Sequence, residues 1–338
     1  MKELLLQLCA PAGVSGAEKP AAQEAAEALS AFAQVHTDAS GNVIGEIAGH
    51  GPHILLDAHI DQVGMVVTGV DAEGFLRIDK CGGIDIRTLA GHEVTVWGRE
   101  PLYGVVCSTP PHLSKQEDQS ITDITDMAID IGLSAEAARE KVHPGDRVTL
   151  RRSPKKLLGG QISSPSLDDR AGCAVLLEMI ESDLPYDLDF AFTVQEEVGL
   201  RGAGAAAYQL NPDYAIVVET TTAADIAGVQ PHKRVCALGK GAVVSFMDRS
   251  TLYDRKLYDF AFSLAERKNI RCQSKTLVAG GNDAGAIHKS RGGVKTITVS
   301  VPCRYLHSPS CVIEEGDLYD AADLVRALAQ SFANDSVD

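Results

Sequence analysis

Crossing a bilayer takes roughly 20 consecutive apolar residues, and no segment of this 338-residue chain approaches that length. Positive charge is also scarce. Lys and Arg number 31 against 46 Asp and Glu, a net charge of −15 at pH 7. Nucleic acid and anionic lipid are held by clustered Lys and Arg, so the balance argues against both as partners. The eight cysteines are scattered, with no C-x-x-C pair and no compact framework. A disulfide scaffold is thereby excluded, and the thiols read as reduced ones of a cytoplasmic protein. The opening MKELLLQLCAPAG superficially resembles a secretion signal, but Glu3 and Gln7 interrupt a very short apolar stretch. It is read here as a first helix. What the chain does have is length and a 45% hydrophobic content, enough for a large core and about two domains.

Residues 17–33 carry Ala and Leu at helical spacing beside Glu and Gln, which predicts an amphipathic helix. NVIGEIAG and HILLDAHI follow as strands. From about Val67 the texture turns to short β-rich pieces, FLRID, EVTVWG, LYGVVCS and DRVTLRR, interrupted by one short helix in SAEAAREKV and a polar loop in SKQEDQSITD. After GGQISSPSLDDR, helix and strand alternate to the C-terminus: AGCAVLLEMIES, LDFAFTVQ, GAGAAAYQL, YAIVVET, KLYDFAFSLAERKN, KTITVSV and DLYDAADLVRALAQSFA. A first half that ends on a strand in need of parallel neighbours makes the β-rich stretch an insertion. The expected fold is an α/β domain of residues 1–67 and 160–338, split by a β-rich domain of residues 68–159.

His59, Asp168, Glu197, Glu219 and His307 lie far apart in sequence, yet each caps an apolar run. In an open α/β sheet the carboxyl ends of parallel strands share one rim, where such groups converge. Two imidazoles and three carboxylates gathered there read as a two-metal hydrolase site. His59 and Asp61 form H-x-D at a strand end, so one can ligate while the other supports it, although a core histidine satisfied by an aspartate would look the same. Asp168 and Asp169 precede a helix whose N-terminus alone would favour acids, while Pro165 and Gly172 suggest a fixed loop. Glu196 and Glu197 would face opposite sides of a regular strand. Both reach one cavity only if the backbone leaves β geometry, which the Val198–Gly199 step permits; otherwise they are a solvated acidic strand end. Glu219 is followed by three threonines able to hydrogen-bond a carboxylate. His307 sits in H-S-P, where Pro309 stiffens a loop, a setting equally open to an ordinary surface histidine.

Taken in order, AHIDQVG (58–64), DMAIDIGLSAEAA (126–138), HPGDRVTL (143–150), SLDDRAG (166–172), TVQEEVGLRGA (193–203), GGNDAGAIH (280–288) and VPCRYLHSP (301–309) resemble the M42 family of metallo-aminopeptidases along nearly the whole chain. The resemblance implies a three-layer α/β/α metallopeptidase domain whose inserted, barrel-like β domain mediates dimerisation. It implies two divalent metal ions per subunit, with His59 and Glu219 completing one site, Glu197 and His307 the other, and Asp168 bridging. Glu196 becomes the general base, supported at the site by Asp61. It also implies peptide substrates and a homo-oligomer in which dimers assemble into a dodecamer. Two positions depart from the pattern: Glu219 stands where an aspartate is usual, and Asn282 where a threonine is usual.

The implied reaction is removal of N-terminal residues from peptides by a water held between the two ions. Mixed nitrogen and oxygen ligands suit Zn²⁺ first, with Co²⁺ or Mn²⁺ as alternatives. The extra methylene of Glu219 keeps a second dinuclear amidohydrolase reading open, a deacylase or a carboxypeptidase-like enzyme. A glycosidase fits less well, because adjacent Glu196 and Glu197 do not readily flank a glycosidic bond. A non-catalytic scaffold would not be expected to keep every ligand and the base. Lys240 and Arg249 are the basic residues considered for attracting an acidic substrate side chain.

Overall fold

A computed structural model of the protein describes residues 1–108, 123–180 and 185–336. Along the chain β1 (Gln34–Thr37), β2 (Val43–Ile47) and β3 (His50–His59) come first. Six strands follow: β4 (Gly64–Val70), β5 (Leu76–Cys81), β6 (Glu93–Trp97), β7 (Pro101–Val106), β8 (Ala128–Asp130) and β9 (Arg147–Leu150). Next are β10 (Lys155–Lys156), β11 (Gln161–Ser164), β12 (Tyr186–Thr193), β13 (Tyr214–Thr222), β14 (Ala242–Val244), β15 (Cys272–Ser274), β16 (Lys295–Cys303) and β17 (Cys311–Glu314). An eight-stranded sheet has the order β1-β2-β12-β3-β13-β16-β14-β15, β4 to β9 close a barrel, and β10-β11-β17 form a small third sheet. The molecule is thus an α/β domain carrying a closed β-barrel.

The centre of the large sheet is parallel, with β3 between β12 and β13 and β13 beside β16. Strands buried on both faces need apolar side chains on both, which is why ILL, FAF and AIVV read as unbroken runs. On one face Ile54, Leu56, Phe190, Phe192, Ile216 and Val218 pack under the helices Leu167–Ile180 and Glu315–Ala333. On the other Leu55, Ala191, Ala215 and Val217 meet the small residues of the helix Arg201–Leu210. The barrel has its own core, in which Met65, Val67, Ile78, Val94, Val96 and Val148 alternate inward.

Several short elements went unread in the sequence. β14 and β15 extend the sheet past β16, with β14 antiparallel to it, and β2 pairs antiparallel with β12. Three-residue strands give too few alternations to register as a period. The expected helix after SLDDR begins earlier, at Leu167, although Asp168 and Asp169 keep non-helical backbone angles. Its last two expected residues, 181 and 182, lie outside the described residues, as does 114–122 of the expected polar loop.

Candidate metal centre

Register sets the first two groups level with one another. His59 ends β3 opposite Thr193 of β12, and Asp57 of β3 is opposite Val217 of β13. Two residues further along both strands, side chains return to the same face, so Glu219 stands beside His59 on the rim. Glu219 Oε1 is 3.5 Å from His59 Nε2. The longer side chain turns back on its own backbone, where Oε1 accepts from the N–H of Thr220 at 2.9 Å. Asp168 enters from the loop ahead of its helix, where the Asp168–Asp169 peptide bond is cis. One of its oxygens faces His59 Nε2 at 3.3 Å and the other faces His307 Nε2 at 3.0 Å. Thr220 Oγ1 donates to Asp168 at 2.8 Å.

Glu196 and Glu197 follow β12 after it has ended at Thr193, and the departure from β geometry comes one residue before them. Gln195 has φ +58°, and Gly199 and Leu200 are also left-handed. The sequence had pointed to Val198–Gly199 alone; a left-handed glutamine leaves no compositional mark. The turn is tied down by Asp61, whose two carboxylate oxygens accept from the N–H groups of Glu196 at 2.9 Å and Glu197 at 3.2 Å. Ser15 Oγ adds a third bond to Asp61, at 2.6 Å. Asp61 is fully buried, so its hold on the site runs through this backbone and through His59, whose Nδ1 is 3.1 Å from the Asp61 carbonyl.

His307 comes from the loop between β16 and β17, at φ +61°. Its Nδ1 donates to the carbonyl of Gly83, which follows barrel strand β5, at 3.0 Å, and its own carbonyl accepts from Asp85 N–H. Glu197 Oε1 lies 3.5 Å from His307 Nε2. All six groups, His59, Asp168, Glu196, Glu197, Glu219 and His307, line one cavity of about 390 Å³. Candidate ligand atoms of His59, Asp168 and Glu197 lie within 4.8 Å of one another, as do those of His59, Asp169 and Glu219. In the sequence Asp169 reads only as an acid favoured by the helix N-terminus, with no place among the ligands. One of its oxygens accepts from Gly172 N–H, and the other has no hydrogen bond although buried.

The electrostatics state what the cluster is short of. Burial pushes Glu197 up to about 8 and Glu219 up to about 7, with the charge of Asp168 adding to both. Glu196 rises well above the usual carboxylate range, again through burial first. Burial works against the His307 imidazolium, yet the Asp168 hydrogen bond and the Glu197 charge lift it to about 10. Asp168, opposed by the same burial, is held far below the ordinary value by both imidazoles. Acids crowded in a dry cavity raise one another unless positive charge is supplied. Glu197 Oε1 accepts no hydrogen bond there. Both histidines have Nδ1 fixed on a carbonyl and Nε2 turned inward, the arrangement that orients an imidazole toward a metal. The donor set of imidazole nitrogens and carboxylate oxygens therefore fits divalent transition-metal ions. Lys240 and Arg249 are exposed and do not line the cavity, whereas Lys275, unmarked in the sequence, does. Asn282 is buried, accepting from Ala284 N–H and donating to the Tyr253 hydroxyl.

Residues 41–324 match the family model described as M42 glutamyl aminopeptidase. A putative aminopeptidase of Acetivibrio thermocellus is 34% identical over 98% of each chain. A lysyl aminopeptidase of Pyrococcus furiosus is 30% identical over 97% of this chain and 96% of its own, so the named specificities span an acidic and a basic side chain. Among solved structures, the TET1 peptidase of Pyrococcus horikoshii, described as assembling into a tetrahedron or a large octahedral shell, superposes with a TM-score of 0.86. It is 38% identical, covering 97% of this chain and 98% of its own.

Proposed function

The chain belongs to the M42 glutamyl aminopeptidase family and is a metal-dependent aminopeptidase, and from that premise we propose how its residues divide the work. His59 and Glu219 would hold one divalent ion and His307 and Glu197 a second, with Asp168 placed between the two pairs. The observation that carries this is the split carboxylate of Asp168, with one oxygen turned to each imidazole and a separate glutamate beyond each. Bound there, divalent ions supply Lewis acidity, making water a nucleophile near neutral pH and stabilising negative charge that develops on the scissile carbonyl.

Glu196 serves as general base. Its carboxylate has no ligand partner of its own in this scheme, approaches His59 Nε2 only to 4.0 Å, and has a side chain 11% exposed to the cavity. It accepts the proton of the attacking water and returns it to the departing amine. Asp61 keeps Glu196 and Glu197 on the same side of the turn. Zn²⁺ is the first choice of metal, with Co²⁺ and Mn²⁺ compatible with the same donors. Residues 1–67 and 160–338 make up the catalytic domain, and 68–159 the insertion; a barrel closed between Gly64 and Leu150, starting slightly earlier, supports that division. The insertion is taken to pair two copies, with dimers building a dodecamer. The TET1 assemblies and the half-exposed Tyr103 and Trp97 on the outside of the barrel support it. Eight free thiols agree with a cytoplasmic protein, and no helix among the described residues is long and apolar enough to cross a membrane.

Glu196→Gln tests the assignment. The variant should keep its metal content while kcat for an N-terminal peptide bond falls about 10³-fold; near wild-type turnover would remove Glu196 from the role.

A further inference from the structure

The loop that carries His307 is a wall between two cavities. On one side His307 closes the metal cavity; on the other Tyr305, Ser308 and Ser310 border a second cavity of about 710 Å³, and Thr222 and Leu306 line both. The two spaces therefore adjoin at the edge of the metal centre. The opposite wall of the second cavity is supplied by the barrel, through Asp85, Arg87 and His92 ahead of β6 and Arg152 after β9.

The charges on that wall do not balance. Among the described residues that line it Asp85 is the one acid, and Arg87 holds it through two bonds of 2.7 Å. Arg152 has no acid: among the described residues its one hydrogen bond goes to the Ser310 hydroxyl, and it forms no ion pair. Glu93 lines a different cavity, which Arg152 also borders, and does not pair with it. His92 adds no counter-charge, because burial and then the Arg152 charge push its imidazole below the ordinary value.

An aminopeptidase keeps one residue on the amine side of the scissile bond and the rest of the peptide on the other. The metal cavity, of about 390 Å³, takes the reacting bond, and the larger space beside it has room for the remaining chain. Ser310, which holds Arg152, is three residues from His307. That is at most about 10 Å of chain, the reach of roughly three extended substrate residues.

We infer that the second cavity receives the leaving portion of the peptide and that Arg152 binds a carboxylate on it, either the C-terminus of a tri- or tetrapeptide or an acidic side chain of a longer one. The inference rests on the aminopeptidase reading of the neighbouring cavity. A guanidinium presents its donors as a fork that matches a carboxylate. Ser310 occupies Nη1 alone, which leaves Nε and Nη2 for the substrate.

The test uses the metal-loaded wild type, Arg152→Met, Arg152→Lys and Arg152→Glu, with peptides that begin with whichever of Glu, Leu and Lys the wild type releases fastest from its p-nitroanilide. Xaa-Gly-Gly and Xaa-Gly-Gly-Gly are each compared with their C-terminal amides, and Xaa-Gly-Glu-amide with Xaa-Gly-Gln-amide. The wild type should favour the carboxylate-bearing member of a pair about threefold to tenfold in kcat/KM. An advantage confined to the free acids assigns the site to the C-terminus, and one confined to the Glu/Gln pair assigns it to a side chain. Arg152→Met should bring the ratio to about one, chiefly through KM, Arg152→Lys should keep part of it, and Arg152→Glu should invert it. Wild-type ratios near one in every pair overturn the inference whether or not any variant folds, as does a folded Arg152→Met with an unchanged ratio. Should the wild type cleave no anilide and no peptide, the aminopeptidase reading fails by itself. Calorimetric binding of Gly-Gly and its amide then decides for Arg152: a preference for the free acid that needs the arginine supports it, and equal binding, or a preference that survives Arg152→Met, overturns it.

Discussion

His59 and His307 offer the same nitrogen to the same aspartate from opposite kinds of structure. His59 is the last residue of a buried parallel strand, with a side chain 2% exposed, and its orienting carbonyl, that of Asp61, comes from the segment just after that strand. His307 stands on a left-handed loop residue with a side chain 29% exposed, and its orienting carbonyl, Gly83, is delivered by the barrel. One half of the centre is therefore a property of the α/β domain. The other depends on how the inserted barrel sits against it. A site divided in this way should load and fail in two stages.

The largest separation should come from the histidines. His307→Ala is expected to retain about one tightly held ion per chain, whereas His59→Ala, which opens a hole in a buried cluster, should lose both and lower the melting temperature as well. Metal analysis after gel filtration reads the difference, and equal losses would erase the asymmetry. Next in size is Asp61→Asn, which leaves the ligands in place but weakens their support. A decrease of about 10- to 100-fold in metal affinity is expected, falling on both halves, because Asp61 touches His59 and the Glu197 backbone alike.

Protons offer a finer probe. In the metal-free protein His307 is raised to about 10 and Glu197 to about 8, so both carry protons at pH 7 that an incoming cation must displace. Loading should release protons, and the affinity of the His307 half should climb as pH rises from 6 to 8. Calorimetry in buffers of different ionisation enthalpy measures this; loading without proton release would contradict it. The smallest effect is assigned to Gly83→Ala. A Cβ there would lie 3.0 Å from His307 Nδ1, so the loop half should weaken a few-fold while the strand half is untouched.

The strand-end half was the more legible in sequence for the same reason that it is the more rigid. ILLDAH and YAIVVE announce buried strands, and strand ends in a parallel sheet converge by topology, so His59 and Glu219 could be placed on one rim from pattern alone. His307 is placed on that rim by the same rule, but nothing in RYLHSP records the left-handed backbone or the Gly83 carbonyl that set its orientation. The residues that orient the site were hidden likewise. Ser15 is one hydroxyl in a loop, Gln195 adopts a conformation that composition does not signal, and Lys275 stands in a stretch with no period at all. The barrel was readable as β-rich, but its closure depends on strand pairings between residues as distant as Met65 and Val148.

The most direct measurement is anomalous diffraction from crystals of the protein soaked with Zn²⁺. The account predicts two peaks per chain in the cavity, one against His59 and Glu219 and one against His307 and Glu197, with an oxygen of Asp168 on each. A single peak away from Asp168, or ions bound only outside this cavity, would contradict it.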